Sequence, residues 1–172
     1  SVLSKSKMVT EMAEQTTFSL PDKSVVVMNA DSKITWNNRK FSNSRYLRLN
    51  GEAYFDVEKG NKFVIETKNG TVEVLGTQLN VFSRNNEFRV SCISGKVRVA
   101  SNRSEQIILP GETAELTSNG VTKSTLQNPG KVAAWQQGIF YFEDKPVVSI
   151  FAELERQFDV SIKFNGMEDR FI

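Results

Sequence analysis

The sequence predicts a mainly β protein, built as a two-layer β sandwich of jelly-roll type or as an irregular β-solenoid, and followed by a small incomplete β-α-β unit. Short runs that alternate apolar and polar side chains recur between about residues 17 and 126, a pattern typical of strands that are buried on one face. Turn-forming pairs separate the runs, among them Asn50-Gly51, Asn69-Gly70 and Asn119-Gly120. After residue 128 the pattern changes to strand, helix, strand.

Each alternating run of the first part is predicted to form a strand. The runs are KSVVVMN, SKITW, RYLRL, KFVIET, TVEVL, QLNVFS, EFRVSCI, KVRVA, EQIIL and ETAELT. The alternation turns one set of side chains inward, namely Phe63, Ile65, Val72, Val74, Leu79, Val81, Phe88, Val90, Val97, Val99, Ala114 and Leu116. The closely spaced turns favour hairpins over parallel crossovers, which need a dozen or more residues. Sandwich and solenoid both stay open, although the absence of a fixed repeat length disfavours a regular solenoid.

Asn128-Pro129-Gly130 marks the predicted boundary between a β domain at residues 1–127 and a small truncated domain at residues 128–172. In the second part we expect a strand at Ile139–Glu143, a helix at Pro146–Phe158 and a strand at Val160–Phe164. The helix is predicted because apolar residues recur in it at spacings of three and four. Since such a unit buries little apolar surface alone, we expect it to pack on the β domain, to continue beyond Ile172, or both.

The stretch LNGEAYFDV at residues 49–57 raises the question of a catalytic acid pair. Asn50-Gly51 is predicted to form a tight turn. Ala53, Phe55 and Val57 are then expected in the core, and Glu52, Tyr54 and Asp56 on a wet or partner-facing side. Glu52 and Asp56 would lie on the order of 13 Å apart at about 3.3 Å per residue. Glycosidase pairs need about 5 to 9.5 Å, so we interpret the two acids as surface residues.

Composition excludes most familiar active sites. The chain of 172 residues has no histidine and one cysteine, so zinc sites, Ser-His-Asp triads and Cys-His dyads lack their parts. The net charge of +2 gives no indication of nucleic-acid binding. Cys92 alternates in phase with apolar neighbours and is expected to be a buried structural thiol. We therefore expect no enzymatic activity, no catalytic residue, no cofactor and no metal.

Two further sets of residues have simple structural interpretations. Trp36, Tyr46, Tyr54 and Trp135 could form a platform for a sugar ring, but aromatic residues on strands are more often packed against neighbouring strands. The five arginines of the strands are expected on solvated faces rather than in an anion site; they are Arg45, Arg48, Arg84, Arg89 and Arg98.

Several stretches taken in order resemble one known family. They are LPDKSVVVMNADSKITW, RYLRLNGEAYFDVEK, FVIETKNGTVEVLGTQLNVFSR, SCISGKVRVA and ILPGETAEL. Together they resemble the periplasmic domain of FecR-like anti-sigma regulators. WQQGIFYFEDKPVVSIFAELERQFDVSIKF at the end of the chain is similar to the start of the small domain, of the secretin and TonB short N-terminal type, that follows in the Bacteroidetes branch.

The resemblance implies a function in cell-surface signalling. Such regulators hold a sigma factor through a cytoplasmic segment, cross the inner membrane once, and receive a signal in the periplasm from the signalling domain of an outer-membrane TonB-dependent transporter. Neither the cytoplasmic segment nor the membrane helix is present before Ser1, so this chain would be the periplasmic sensor part. A carbohydrate-binding or adhesin-like β domain is the alternative.

The partner is expected to pair with a free strand edge in the second part of the chain. The partner-binding candidates are Ile139, Tyr141, Glu143, Val160, Ile162 and Phe164. The same free edge is expected to favour a strand-swapped homodimer.

Overall fold

A computed structural model describes residues 4–102 and 104–163 of the chain. Within these residues lie thirteen strands, two short 3-10 turns at Pro129–Lys131 and Ala134–Gln137, and helix α1 at Val147–Phe158. The strands are β1 Lys5–Thr10, β2 Thr16–Ser19, β3 Val25–Met28, β4 Ser32–Asn37, β5 Arg45–Asp56, β6 Phe63–Glu66, β7 Thr71–Val74, β8 Gln78–Arg84, β9 Glu87–Ser94, β10 Val97–Ser101, β11 Ser104–Ile108, β12 Glu112–Thr117 and β13 Gly120–Thr125.

The strands form two layers that share β5. The first sheet has the order β1-β4-β5-β6-β7-β10-β11, and the second has the order β2-β3-β5-β8-β9-β12-β13. Neighbouring strands are antiparallel except β5 and β6. The far edges meet where the Val121 amide donates a hydrogen bond to Ser104 Oγ over 2.6 Å, so the sheet nearly closes. The predicted mainly β class is confirmed in its two-layer form.

The core between the layers consists of the residues that the alternation predicted. Of that set, Leu116 is partly buried and the others are buried. Phe41 comes from the loop before β5 and is fully buried. Its ring makes an edge-to-face contact with the ring of Phe63, with 5.9 Å between the ring centres. Phe55 packs on Phe63 from the second sheet at 6.3 Å. These three rings therefore tie both layers and one loop together.

Strand β5 passes from one layer to the other at Gly51. Residues before it pair with β4 and β6, and residues from Gly51 onward pair with β3 and β8. Gly51 has φ +119°, and a Cβ atom there would lie 2.3 Å from Ser32 Oγ. The predicted tight turn at Asn50-Gly51 is thus wrong, because the glycine bends a continuous strand. The predicted turns at Asn69-Gly70 and Asn119-Gly120 do connect neighbouring antiparallel strands.

The lone cysteine is a structural thiol, as predicted. Cys92 is fully buried within the core of the second sheet. Burial is the main cause that raises the pKa of its thiol to about 11, and the charge of Glu112 adds to the effect. The thiolate population at neutral pH is therefore very small.

Arg45 is buried, which corrects the expectation of a solvated side chain. Its guanidinium forms an ion pair with Asp22 Oδ2 at 3.0 Å and donates to the carbonyl of Glu58 at 2.6 Å and to the carbonyl of Asn61. The contacts hold the loop that follows β5 against the turn before β3. Charged hydrogen bonds of this kind offset the cost of burying the cation.

The chain after β13 differs from the predicted β-α-β unit. Helix α1 is confirmed, with Pro146 at its N-cap. Residues 139–142 and 160–163 have no regular secondary structure and pair with no strand among the described residues. Both strand predictions are wrong over these residues, while Phe164 lies outside the described part of the chain. The alternation in residues 139–143 reflects packing rather than strand pairing. Phe140 and Phe142 are half-buried, whereas Ile139, Tyr141 and Glu143 are exposed.

We expect Gly51→Ala to lower the free energy of unfolding by about 3 kcal/mol or more, because the substitution combines an unfavourable positive φ with a steric clash. Urea denaturation measures the change. Gly138→Ala is the matched control, since Gly138 also has a positive φ, +74°, but nothing lies within 4 Å of an added Cβ. Its cost should be about 1 kcal/mol. Equal losses in the two variants would contradict the role of the Ser32 contact.

Candidate functional site: the interface between the β body and the C-terminal segment

The candidate site lies where the end of the chain covers the second sheet. We call β1–β13 and their loops the β body, and residues 127–163 the C-terminal segment. The segment lies on the outward side of β5, β8 and β9, with α1 and the 3-10 turn that contains Trp135 facing the sheet. Trp135 is buried and its Nε1 donates a hydrogen bond of 3.0 Å to Asn80 Oδ1 on β8.

Glu52 is at the centre of this interface. Its two carboxylate oxygens accept hydrogen bonds from Asn29 Nδ2 at 2.8 Å and from Asn80 Nδ2 at 3.0 Å. Gln157 of α1 donates to Asn29 Oδ1 at 2.7 Å. The side chains of Gln157, Asn29, Glu52, Asn80 and Trp135 thus form a continuous hydrogen-bonded chain, which we call the Glu52 network. It joins α1 to the 3-10 turn across the surface of the sheet.

The expectation that Glu52 faces water is wrong, since only 6% of the residue is exposed. Burial raises the pKa of Glu52, and the nearby negative charge of Glu153 raises it further. Arg89 and the two amide donors act in the opposite direction. Asp56, which follows in the same alternation, is exposed, and Tyr54 is half-buried. The C-terminal segment therefore covers one end of this strand face and leaves the other end open.

The connection between β1 and β2 also holds the C-terminal segment. The Ala13 amide donates to the carbonyl of Arg156 at 2.7 Å, and Gln15 Nε2 donates to the carbonyl of Trp135 at 3.0 Å. On the other side, Ser149 Oγ lies 3.1 Å from Glu87 Oε1 on β9. The interface is therefore fixed mainly by directional hydrogen bonds, which specify position more than they add stability.

A cavity of about 520 Å³ lies between the two parts. Phe82, Arg84 and Arg89 contribute to its wall on the sheet side. Trp135, Phe140, Phe142 and Ile150 contribute to its wall on the segment side. The segment thus bridges an incompletely filled space.

Arg84 was expected to be solvated and is buried at the edge of this cavity. Its guanidinium donates to the carbonyls of Asp31 and Ala30 and lies 3.4 Å from the Asp31 carboxylate. Burial lowers the pKa of Arg84, and repulsion from Arg156 of the segment acts in the same direction.

The residues predicted to bind a partner fall into two groups. Ile139, Tyr141 and Glu143 line the outer side of the cavity. Glu143 forms an ion pair with Lys131 at 2.8 Å, and Lys131 Nζ lies 4.8 Å from the centre of the Tyr141 ring.

Of the other predicted residues, Val160 and Ile162 follow α1 and do not line the cavity. Val160 is exposed, while Ile162 is half-buried and its amide donates to Glu155 Oε1 at 2.7 Å. Phe164 lies outside the described residues. No sequence pattern indicated the Glu52 network, because its members are separated widely along the chain.

Other chemistry finds little support in the described residues. The four rings considered for a sugar platform are dispersed over the first sheet, the second sheet and the C-terminal segment, which holds Trp135. Trp36 stacks on Phe18, with 5.6 Å between the ring centres. In residues 4–102 and 104–163 no group of histidine, cysteine and acidic side chains could hold a metal ion. Across the same residues, no helix is long and apolar enough to cross a membrane. The described surface is one that can make contacts with other molecules.

Comparison with known proteins defines the class. The family model described as FecR protein matches residues 6–98, more than half of the chain. The chain belongs to the FecR family. No match was found among curated proteins.

Two crystal structures of a proposed anti-sigma factor from Parabacteroides distasonis are similar to the whole described chain. One has a TM-score of 0.90 at 30% sequence identity, covering 98% of this chain and 82% of that chain. The other has a TM-score of 0.89 at 30% identity, with coverage of 97% and 82%. The similarity therefore includes the C-terminal segment as well as the β body.

We expect the stability of the wild-type protein to fall with rising pH more steeply than that of Glu52→Gln. The pKa of Glu52 is raised above 4.5 in the folded state, so its contribution is present below about pH 4.5 and is lost as the pH rises through the folded-state pKa. Urea unfolding of both proteins from about pH 4 to about pH 8 tests the difference. Glu66→Gln is the control, because its carboxylate is an exposed partner of Arg48. Parallel pH curves for wild type and Glu52→Gln would contradict the expectation.

Proposed function

We propose that this chain is the periplasmic sensor part of an inner-membrane anti-sigma regulator. On this proposal it relays a signal from the signalling domain of an outer-membrane TonB-dependent transporter to a sigma factor, which is held by a cytoplasmic segment of the same regulator. The observation that carries the proposal is membership of the FecR family together with the similarity to a proposed anti-sigma factor over both parts of the chain.

The character of the candidate site supports a function by contact. Both oxygens of Glu52 accept hydrogen bonds from asparagine amides, and Glu153 is bound by Arg156 at 2.6 Å and by Gln157 at 2.8 Å. The Glu52 carboxylate is occupied in the network that joins the C-terminal segment to the β body, and the Glu153 carboxylate is held within α1. When a partner binds the segment, it can change how the segment is docked on the β body, and that change is the proposed signal.

Residues 139–143 are the proposed contact for the transporter. The amide and carbonyl groups of Phe140, Tyr141 and Phe142 make no hydrogen bond within the described residues. Ile139, Tyr141 and Glu143 point outward in strand-like alternation. A partner strand could pair with this backbone while its side chains contact the exposed rings. The C-terminal segment would then be the first half of a small domain of the secretin and TonB short N-terminal type.

We expect Tyr141→Pro to abolish capture of the transporter's signalling domain, because proline removes an amide that pairing requires. Tyr141→Thr is the control: it removes the ring and the Lys131 contact but keeps the amide. Capture is measured by pulldown with purified proteins. In cells that carry the complete regulator, Tyr141→Pro should abolish sigma-dependent transcription of a reporter on induction, and Tyr141→Thr should largely preserve it.

Unchanged capture by Tyr141→Pro would rule out strand pairing at this position. Loss of capture together with normal induction would contradict the proposed relay.

The same free backbone supports a strand-swapped homodimer, which light scattering of the wild type and Tyr141→Pro would detect as a dimer in the wild type alone. A monomeric wild type at high concentration would contradict the dimer.

A further inference from the structure

The cavity beneath the C-terminal segment has the size of a small-molecule site. Its volume of about 520 Å³ falls within the range of about 300 to 1,000 Å³ typical of ligand pockets. It lies between two parts of the fold, where such pockets are common. Phe82, Trp135, Phe140 and Phe142 give it aromatic surface from both sides.

The carboxylates around the cavity are already bound. Glu52 accepts from two amides, and Glu153 accepts from Arg156 and Gln157. Glu87 lies within hydrogen-bond distance of the Ser149 hydroxyl on the helix. A cationic ligand would have to compete with these contacts, so the acids of the cavity are not its available groups.

Arg89 is the guanidinium of the sheet side that has donors to spare. Arg84 and Arg89 both lie against the Phe82 ring, at 5.9 Å and 5.0 Å from its centre. The Nη atoms of Arg84 already donate to Asp31, Ala30 and Ser32, and its buried Nε is the one donor without a partner in the described residues. Among the same residues Arg89 has a single ion pair, with Glu115 at 3.6 Å, which is too long for a hydrogen bond. The cavity wall therefore combines an aromatic ring with one guanidinium whose donors are free and with the unpaired Nε of a second.

We infer that this cavity binds an amphipathic organic anion, whose carboxylate or sulfonate group lies at Arg89, beside the unpaired Nε of Arg84, and whose aromatic or aliphatic body packs against Phe82, Trp135 and Phe140. An anionic group uses the free guanidinium donors, and charge-assisted hydrogen bonds of this type are strong. Because such a ligand touches both the sheet and the C-terminal segment, it favours the docked position of the segment over a released one.

The probe for the test is 8-anilinonaphthalene-1-sulfonate, with the uncharged N-phenyl-1-naphthylamine as its neutral counterpart. We expect saturable one-to-one binding of the sulfonate by fluorescence titration, and binding of the neutral compound at least about tenfold weaker. Arg89→Gln should weaken sulfonate binding by about tenfold and leave binding of the neutral compound unchanged. Arg98→Gln is the matched control, because Arg98 is also an outward arginine of a strand but pairs with Glu73 and Glu105 in the first sheet.

Ala152→Leu tests the space rather than the charge, since Ala152 of α1 lines the cavity and leucine would partly fill it. We expect it to weaken binding of both compounds. Equal affinity for the charged and neutral probes, equal effects of Arg89→Gln and Arg98→Gln, or absence of saturable binding would each overturn the inference.

Proteolysis reports whether the probe holds the segment in place. Trypsin can cleave after Lys131 and Arg156 once the segment has opened, whereas Lys145 is followed by a proline that blocks cleavage. At a probe concentration of ten times its Kd, cleavage in the segment should slow about elevenfold, because the ligand binds the docked form only. The rate in Arg89→Gln at the same concentration should change by only about twofold. Equal protection of both proteins would contradict binding at this interface, and neither result depends on capture of a transporter domain.

Discussion

The bend of β5 at Gly51 is the constraint on which the rest of the molecule depends. It allows one strand to belong to both layers, so the two sheets form a single hydrogen-bonded system. Ser32 Oγ occupies the space that a Cβ would need, and it accepts from the Glu52 amide at 3.0 Å. The backbone of Glu52 is thereby fixed directly after the bend, and its carboxylate is aimed at the outer face of the second sheet. The position of the C-terminal segment follows from that orientation.

The interface at Glu52 is polar where a permanent domain contact would be mostly apolar. Burying a carboxylate is costly, and the amides of Asn29 and Asn80 offset that cost only if the network is complete. A partly satisfied network is worse than an apolar surface, so such contacts favour one arrangement sharply over its neighbours. Together with the buried side chains of Trp135, Val147 and Ile150, the network makes the docking of the C-terminal segment specific in position.

The sequence predicted the fold where alternation was strong and failed where burial depends on distant parts of the chain. The strands with apolar inward faces were found, but β1, β2 and β13 were missed because KSKMVT, TTFS and GVTKST are largely polar edge strands. Glu52 and Arg84 were predicted to be exposed to solvent, because a local sequence pattern does not indicate which outer strand faces a later segment of the chain will cover. The family resemblance was recognised from ordered motifs, whereas the Glu52 network unites residues from four separate elements and from the loop after β3.

The hydrogen bonds from Ala13 and Gln15 to the C-terminal segment have a mechanical consequence. Strands β1 and β2 each pair with one neighbour only, β4 and β3 respectively, and are therefore the least supported strands at that end of the body. Tension applied to α1 would be transmitted through these bonds to the connection between the two edge strands. The hydrogen bonds that pair β1 with β4 and β2 with β3 would then break one after another, while the central strands remained paired.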